Sequence, residues 1–239
     1  MERWDTLWDG GWTFCFDDSA FMPSTDSFLL GSFPPLRQGW RVCDLGAGTG
    51  LLGLLLLARE PALTVTGLEL SPDACGLAAR TAAANGLTDR LVTLPCDLRE
   101  RSQLPAAGSF DLVVSNPPYF PAGGGRTAAG SRGAARSELT CTMEQLCAAA
   151  SFLLRSGGHF CLVYRPERLA EIIAQGAPHR LEAKRLCLVH HQESGPVSLA
   201  LLALRKGGKP GLSIEEWTLY HRDGRKTPIC REIYHITEE

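Results

Sequence analysis

The four residues Asn116-Pro117-Pro118-Tyr119 combine a neutral amide, a rigid backbone and a flat aromatic ring, the parts needed to grip a poor nitrogen nucleophile. An amino group conjugated to a ring or a carbonyl attacks poorly because its lone pair is delocalised. Two acceptors, the Asn116 side-chain oxygen and the Pro117 carbonyl, would take both of its hydrogens and favour the pyramidal geometry that points the lone pair at an electrophile. Tyr119 offers a face for the acceptor to stack on. Exocyclic amines of adenine and guanine and the side-chain amide of glutamine all fit this arrangement.

A second group of residues has the makings of a nucleoside site. Gly46-Ala-Gly-Thr-Gly50 lets the backbone turn tightly beneath a ligand, and a helix starting at Leu51 would aim unsatisfied N–H groups at the ligand's polar part. The spacing is G-x-G-x-G, with Leu at position 51, so the dinucleotide fingerprint G-x-G-x-x-G is not met. Asp44 immediately precedes the turn. Glu69, at the end of the next apolar run, is placed to accept from both hydroxyls of a ribose, and Asp97, past the third run, from an adenine amino group.

These residues need a scaffold, and the pattern supplies one. Trp40 to Leu45 reads as a buried strand, followed by the glycine turn and a Leu-rich helix to Arg59. Leu63 to Leu70 is a second strand. Ser71-Pro72 then caps an Ala-rich helix that stops at Asn85-Gly86. Arg90 to Pro95 and Phe110 to Ser115 are further strands, and Thr142-Met-Glu-Gln145 is a capping box for a helix to about Leu154. Gly157-Gly158 introduces a strand over His159 to Tyr164; a helix from Pro166 to about Gln175 and strands near Arg180 to His190 and Val197 to Leu204 follow. Strand and helix alternate, which predicts a mostly parallel sheet covered on both faces, the last two strands pairing antiparallel across the short turn Gln192 to Pro196. The lead-in before Trp40 and the Gly, Ala and Arg-rich stretch from Pro121 to Ser137 show no regular pattern.

From Asp44 to Tyr119 these motifs resemble the class I, Rossmann-like methyltransferases that use S-adenosylmethionine. Within that class the chain is similar to the bacterial tRNA adenine N6-methyltransferases acting on adenosine 37 of a valine tRNA. The resemblance extends to Ser24-Thr-Asp-Ser-Phe-Leu-Leu30, Phe120 and Arg136-Ser-Glu138. It implies a seven-stranded sheet, a domain over residues 40–239 with a C-terminal extension, and a lead-in over residues 1–39 that closes on the cofactor through Thr25 and Asp26. It assigns the cofactor to Asp44, Gly46, Gly48, Gly50, Glu69 and Asp97, and the methyl acceptor to Asn116, Pro117 and Tyr119. The chain departs from such relatives in its Gly/Ala-rich stretch from Gly123 to Ala135 and in Thr227-Pro-Ile-Cys-Arg-Glu232. A glutamine methyltransferase would be expected to carry an extra N-terminal helical domain, which the 39 residues before the first strand do not hold. A non-catalytic binding scaffold would not need Asp44, Glu69 and Asn116 together.

Composition fits this reading. The chain of 239 residues is 44% hydrophobic and 21% charged, as in one globular domain. Its net charge of −2 conceals an asymmetry: residues 1–119 carry 8 basic and 14 acidic side chains, residues 120–239 carry 16 and 12. Arg126, Arg132, Arg136, Arg222, Arg225 and Lys226 of the basic half are the residues expected to meet RNA. The longest apolar run, Leu51 to Ala58, is too short for a bilayer and no signal peptide opens the chain, so a cytoplasmic protein is expected. Nine cysteines without a CxxC pair read as reduced packing residues, and His190-His191 points its two rings to opposite faces of a strand; no metal is expected. Trp4, Trp8 and Trp12 are spaced for a helix face, with Gly10-Gly11 between them, and read as core packing or a flexible start.

Overall fold

The computed structural model describes residues 1–17, 23–118 and 141–236. Strands β3 (Arg41–Leu45), β4 (Thr64–Glu69), β5 (Leu91–Pro95), β6 (Phe110–Ser115) and β7 (Leu154–Tyr164) are parallel, β3 lying between β4 and β6. Beyond β7, β9 (Val197–Lys206) runs antiparallel to both β7 and β8 (Leu181–Gln192). A further strand, β10 (Ser213–Tyr220), pairs parallel with β8 at the sheet edge. The order is β10-β8-β9-β7-β6-β3-β4-β5, eight strands where seven were expected.

Alternation along the central strands divides the core into two layers. Val42, Leu112, Val114, Cys161 and Val163 face a cluster built with helices α1 (Thr25–Ser32) and α2 (Leu51–Arg59). Cys43, Leu45, Val113, Phe160 and Leu162 face the opposite cluster, made by α4 (Met143–Leu153) and α5 (Leu169–Gly176). Between α2 and α4 in the chain, α3 (Pro72–Ala84) starts at the expected cap, Ser71 Oγ accepting from the Ala74 N–H at 3.4 Å with Pro72 in the first turn. The Thr142–Gln145 capping box is present in both directions, at 2.8 and 3.2 Å. Each cap satisfies N–H groups that the helix itself leaves unbonded.

The lead-in is more regular than its sequence suggests. Strands β1 (Glu2–Thr6) and β2 (Thr13–Asp17) form an antiparallel hairpin, tied to α3 by Asn85, whose side chain accepts from the Thr13 N–H and donates to the Thr13 carbonyl. The tryptophans therefore sit on a hairpin instead of a helix face. Trp4 is exposed, while Trp8 and Trp12 pack against the core and Trp8 stacks on His235 at 3.8 Å. That histidine follows the C-terminal helix α6 (Pro228–Ile233), and the neighbouring Tyr234 stacks on Phe28 of α1 at 5.3 Å. The first strand escaped the sequence pattern because all five of its residues are exposed. The edge strand β10 did so because Glu215 and Glu216 interrupt its apolar residues, and an edge strand needs only partial burial. An Arg185–Glu215 ion pair at 2.5 Å and an edge contact of Trp217 on Phe33 fix its register. Strand β7 begins at Leu154, upstream of His159, through a shift in its pairing with β6 near Gly157-Gly158. The stretch from Pro121 to Ser137 lies outside the described residues.

Candidate active site

Strand order reverses at β3 and β6: the chain proceeds outward through β4 and β5 on one side and through β7 on the other. The carboxyl ends of these two neighbours therefore frame the crevice where open α/β sheets bind ligands. The glycine turn occupies one wall. Gly46, Gly48 and Gly50 adopt φ of 74°, 54° and 78°, a region that side chains with a Cβ rarely enter. Gly50 also packs against α3, where a Cβ would come within 3.1 Å of the Ala78 methyl. The N-cap residue Gly50 has no side chain to cap α2, so the N–H groups of its first turn can serve a ligand.

Three carboxylates behave differently. Glu69 accepts from the Gly48 N–H on Oε2 and the Ser71 N–H on Oε1, both at 2.8 Å, and so ties the glycine turn to the start of α3. Asp44 is buried, its Oδ2 meets no hydrogen-bond partner among the described residues, and burial, reinforced by the negative charge of Glu69, pushes its pKa up to about 8. Asp97 is engaged elsewhere: Arg99 reaches both its oxygens at 2.6 to 3.1 Å, and these hydrogen bonds hold its pKa below the usual carboxylate value. Replacing Glu69 with Gln exchanges one acceptor for a donor facing an N–H. We expect Glu69→Gln to lower stability by about 1–3 kcal/mol through one unmade hydrogen bond, read by denaturant unfolding; a variant as stable as the wild type would show that Glu69 does not hold the turn.

Asn116 stands at the end of β6, its Nδ2 donating to Ser27 Oγ at 3.0 Å and approaching Ser24 Oγ at 3.4 Å. These bonds fix the amide plane, and the side-chain oxygen has no hydrogen bond among the described residues. Beside it the buried Ser115 hydroxyl donates to the Leu45 carbonyl at 2.8 Å, locking β6 to β3. Asn116, Asp44, Gly46, Gly48 and the two serines line a cavity of about 150 Å³. Pro117 is buried next to it, and Tyr119 lies outside the described residues. The lead-in lines the crevice, where Thr25 and Asp26 were the residues expected to close on the cofactor. Thr25 is exposed and hydrogen-bonds Tyr234, and Asp26 lies in the first turn of α1. Ser24 and Ser27 touch Asn116 instead. Arg222, Arg225 and Lys226 are exposed on the turn after β10, Arg222 bonded to Ser194 and Arg225 to Asp223, each at 2.6 Å. Arg126, Arg132 and Arg136 lie outside the described residues.

A turn of left-handed glycines, a buried carboxylate with one oxygen unpartnered among the described residues, and an anchored amide thus share one crevice at a switch point. The family model of the methyltransferase small domain matches residues 22–175, which span the lead-in helix, the glycine turn and Asn116. The chain belongs to this methyltransferase family. It is 36% identical over 206 residues to the tRNA1(Val) (adenine(37)-N6)-methyltransferase of Dickeya chrysanthemi, covering 84% of this chain and 81% of that protein. The same-named protein of Serratia proteamaculans is 32% identical over 233 residues, 94% of this chain and 88% of its own length. A solved structure described as a predicted O-methyltransferase from Agrobacterium tumefaciens has the same fold, with a TM-score of 0.74, 24% identity, and coverage of 88% of this chain and 96% of that one.

The class I sheet agrees with this membership, and β8 and β9 beyond β7 are the two antiparallel strands expected from the sequence. The two serines on Asn116 were the missed residues. Their signal was available, since Ser24 and Ser27 are three apart at a helix start, a spacing that puts both on one face. His190 and His191 act as strand side chains: the first bonds the Gly195 carbonyl at 2.8 Å, the second tilts against Tyr220.

Proposed function

We propose that the chain methylates N6 of adenosine 37 in a valine tRNA, using S-adenosylmethionine as donor. The observation that carries this reading is the Asn116 amide: pinned by Ser27 through its nitrogen, it keeps its oxygen for an amine. The names of the relatives, matched over most of their length, point to the same acceptor.

The crevice fits the donor's amino-acid end. An ammonium would complete Asp44 Oδ2, which is buried without a partner among the described residues, and a carboxylate would meet the N–H groups of the first turn of α2. A cavity of about 150 Å³ suits that end alone. The ribose falls to Glu69, whose oxygens each retain a lone pair beyond the one given to the backbone. Asp97 would hold the adenine amino group only through capacity left over from Arg99. The lead-in over residues 1–39 closes this end through Ser24 and Ser27, with Thr25 and Asp26 shaping the start of α1.

Bound S-adenosylmethionine supplies a methyl group already activated on a sulfonium. The protein's work is then positional. Asn116 and the Pro117 carbonyl accept the two hydrogens of the adenine amine, and Tyr119 stacks on the base. The amine needs no prior deprotonation, which agrees with a neutral amide in the site. Incubating the protein with tRNA and the donor, then mapping the product nucleoside by mass spectrometry, tests the reading; methylation confined to another nucleotide or to protein would refute it.

RNA reaches this edge over Arg222, Arg225 and Lys226, and over Arg126, Arg132 and Arg136. The described turn lies at the same carboxyl edge as Asn116, four strands away, or roughly 19 Å at the usual strand spacing. Neutralising Arg222, Arg225 and Lys226 together is expected to flatten the plot of log affinity against log salt for tRNA by about one for each phosphate that these side chains neutralise. An unchanged slope would remove this turn from the RNA path.

A further inference from the structure

At the other edge of the sheet, where β6 and β7 begin and β9 ends, opens a cleft of about 690 Å³ whose walls carry Arg101, Arg155, Arg180 and Lys206. Arg155 is matched by Asp111 at 2.5 Å. The other three have no ion pair among the described residues. The Arg101 guanidinium lies over the Phe152 ring, 4.3 Å from its centroid, which orients it. Lys206 gives two of its hydrogens to the Ser151 and Leu154 carbonyls and has Arg180 as a cationic neighbour.

Arg180 is the most constrained. It is one of three non-glycine residues with positive φ among the described residues, at 60°, and its backbone is pinned on both sides, the N–H to the Ala177 carbonyl and the carbonyl to the Gly207 N–H. The conformation is unfavourable for an arginine, yet it turns a long cation into the cleft. The positive field continues along the same edge. Arg37 stacks over Trp40, Trp40 over His159, and the pKa of His159 is lowered by burial first and then by Arg205, Arg155 and Arg37.

We propose that this amino-edge cleft is a second RNA-docking surface, binding phosphodiester backbone through Arg101, Arg180 and Lys206 while the target nucleotide sits at Asn116. Gathering cations without counter-charges costs folding free energy unless an anion completes them, and planar guanidiniums suit phosphate. The cations extend along the sheet edge from Arg101 to Arg37, a spread that a chain of phosphates meets and a single small anion does not. The proposal rests on the tRNA reading above for the identity of the RNA. The six residues of β6 separate the two edges by about 20 Å. An RNA must therefore extend well beyond the methylated loop to touch both.

The test is the double variant Arg101→Gln with Arg180→Asn, asparagine being chosen because it tolerates the left-handed conformation. Against whole tRNA the slope of log affinity on log salt is expected to drop by about one to two, and KM to rise about tenfold at physiological salt, with kcat and donor affinity unchanged. Against a minimal anticodon stem-loop, KM should not move. Unaltered slope and KM for whole tRNA would overturn the cleft, as would an equal loss on the stem-loop, or a wild-type protein that binds no tRNA. A wild type that binds tRNA but leaves adenosine 37 unmethylated would refute the proposed function alone, because the salt slope of the variant would still judge the cleft. Matching thermal unfolding of variant and wild type establishes that the fold is intact.

Discussion

Asn116→Ala is expected to bind S-adenosylmethionine with near wild-type affinity and to transfer the methyl group at least about 100-fold more slowly in a single turnover, as when other preorganised polar groups are removed. The split follows from position. Asn116 touches the cavity from the β6 side, while Asp44, the glycine turn and the start of α2 form the walls assigned to the donor. Removing the amide leaves those walls intact and removes the acceptor for the amine. Ser27→Ala should show a weaker form of the same defect, since the amide stays but loses the bond that orients it. Calorimetric titration with donor and rapid-quench methylation of tRNA measure the two halves separately. Near-normal transfer by the alanine variant would overturn the amine-gripping role of Asn116, whatever the acceptor.

Much of this site can be read from the chain because its parts are local. The glycines that need positive φ, the strand before them and the helix after them lie within twenty residues, and the two helix caps are decided by residues three apart. Asn116 could be placed at a sheet edge because Phe110–Ser115 is a strand buried at every position but Asp111. What resisted reading depends on partners distant in sequence. The serines on Asn116 come from residues 89 and 92 positions away. The β1–β2 hairpin is held by Asn85, and β10 is tied to Arg185, thirty residues earlier, so neither pairing can be read from its own segment. Asp97 shows the opposite case. Its partner Arg99 is two residues away, and a carboxylate at a strand end looks the same in sequence whether it waits for a ligand or is already paired.

Asp44 gives the second large effect, because its state is set by burial. An aspartate has a pKa of about 3.9 in an unfolded chain, whereas here it is raised to about 8. Between these values the folded, ligand-free protein holds a proton that the unfolded chain has lost. Raising the pH through this window therefore favours unfolding, by up to about 1.4 kcal/mol per pH unit from this group alone, and the effect levels off above pH 8. Asp44→Asn should remove the dependence and, without ligand at pH 8, be more stable than the wild type by a few kcal/mol. The donor reverses the preference, since its ammonium favours the ionised carboxylate. Binding below pH 8 should release up to one proton, visible as a dependence of calorimetric heat on the buffer's ionisation enthalpy. Affinity should climb toward pH 8, where an α-amino group itself begins to lose its charge. In Asp44→Asn the proton release should vanish and affinity should fall by about 1.5–3 kcal/mol, the worth of a hydrogen bond to a charged group. Wild-type stability that stays flat from pH 5 to 8, once other titrating groups are matched by the variant, would mean that Asp44 is ionised in the free protein and that water, not the donor, satisfies it.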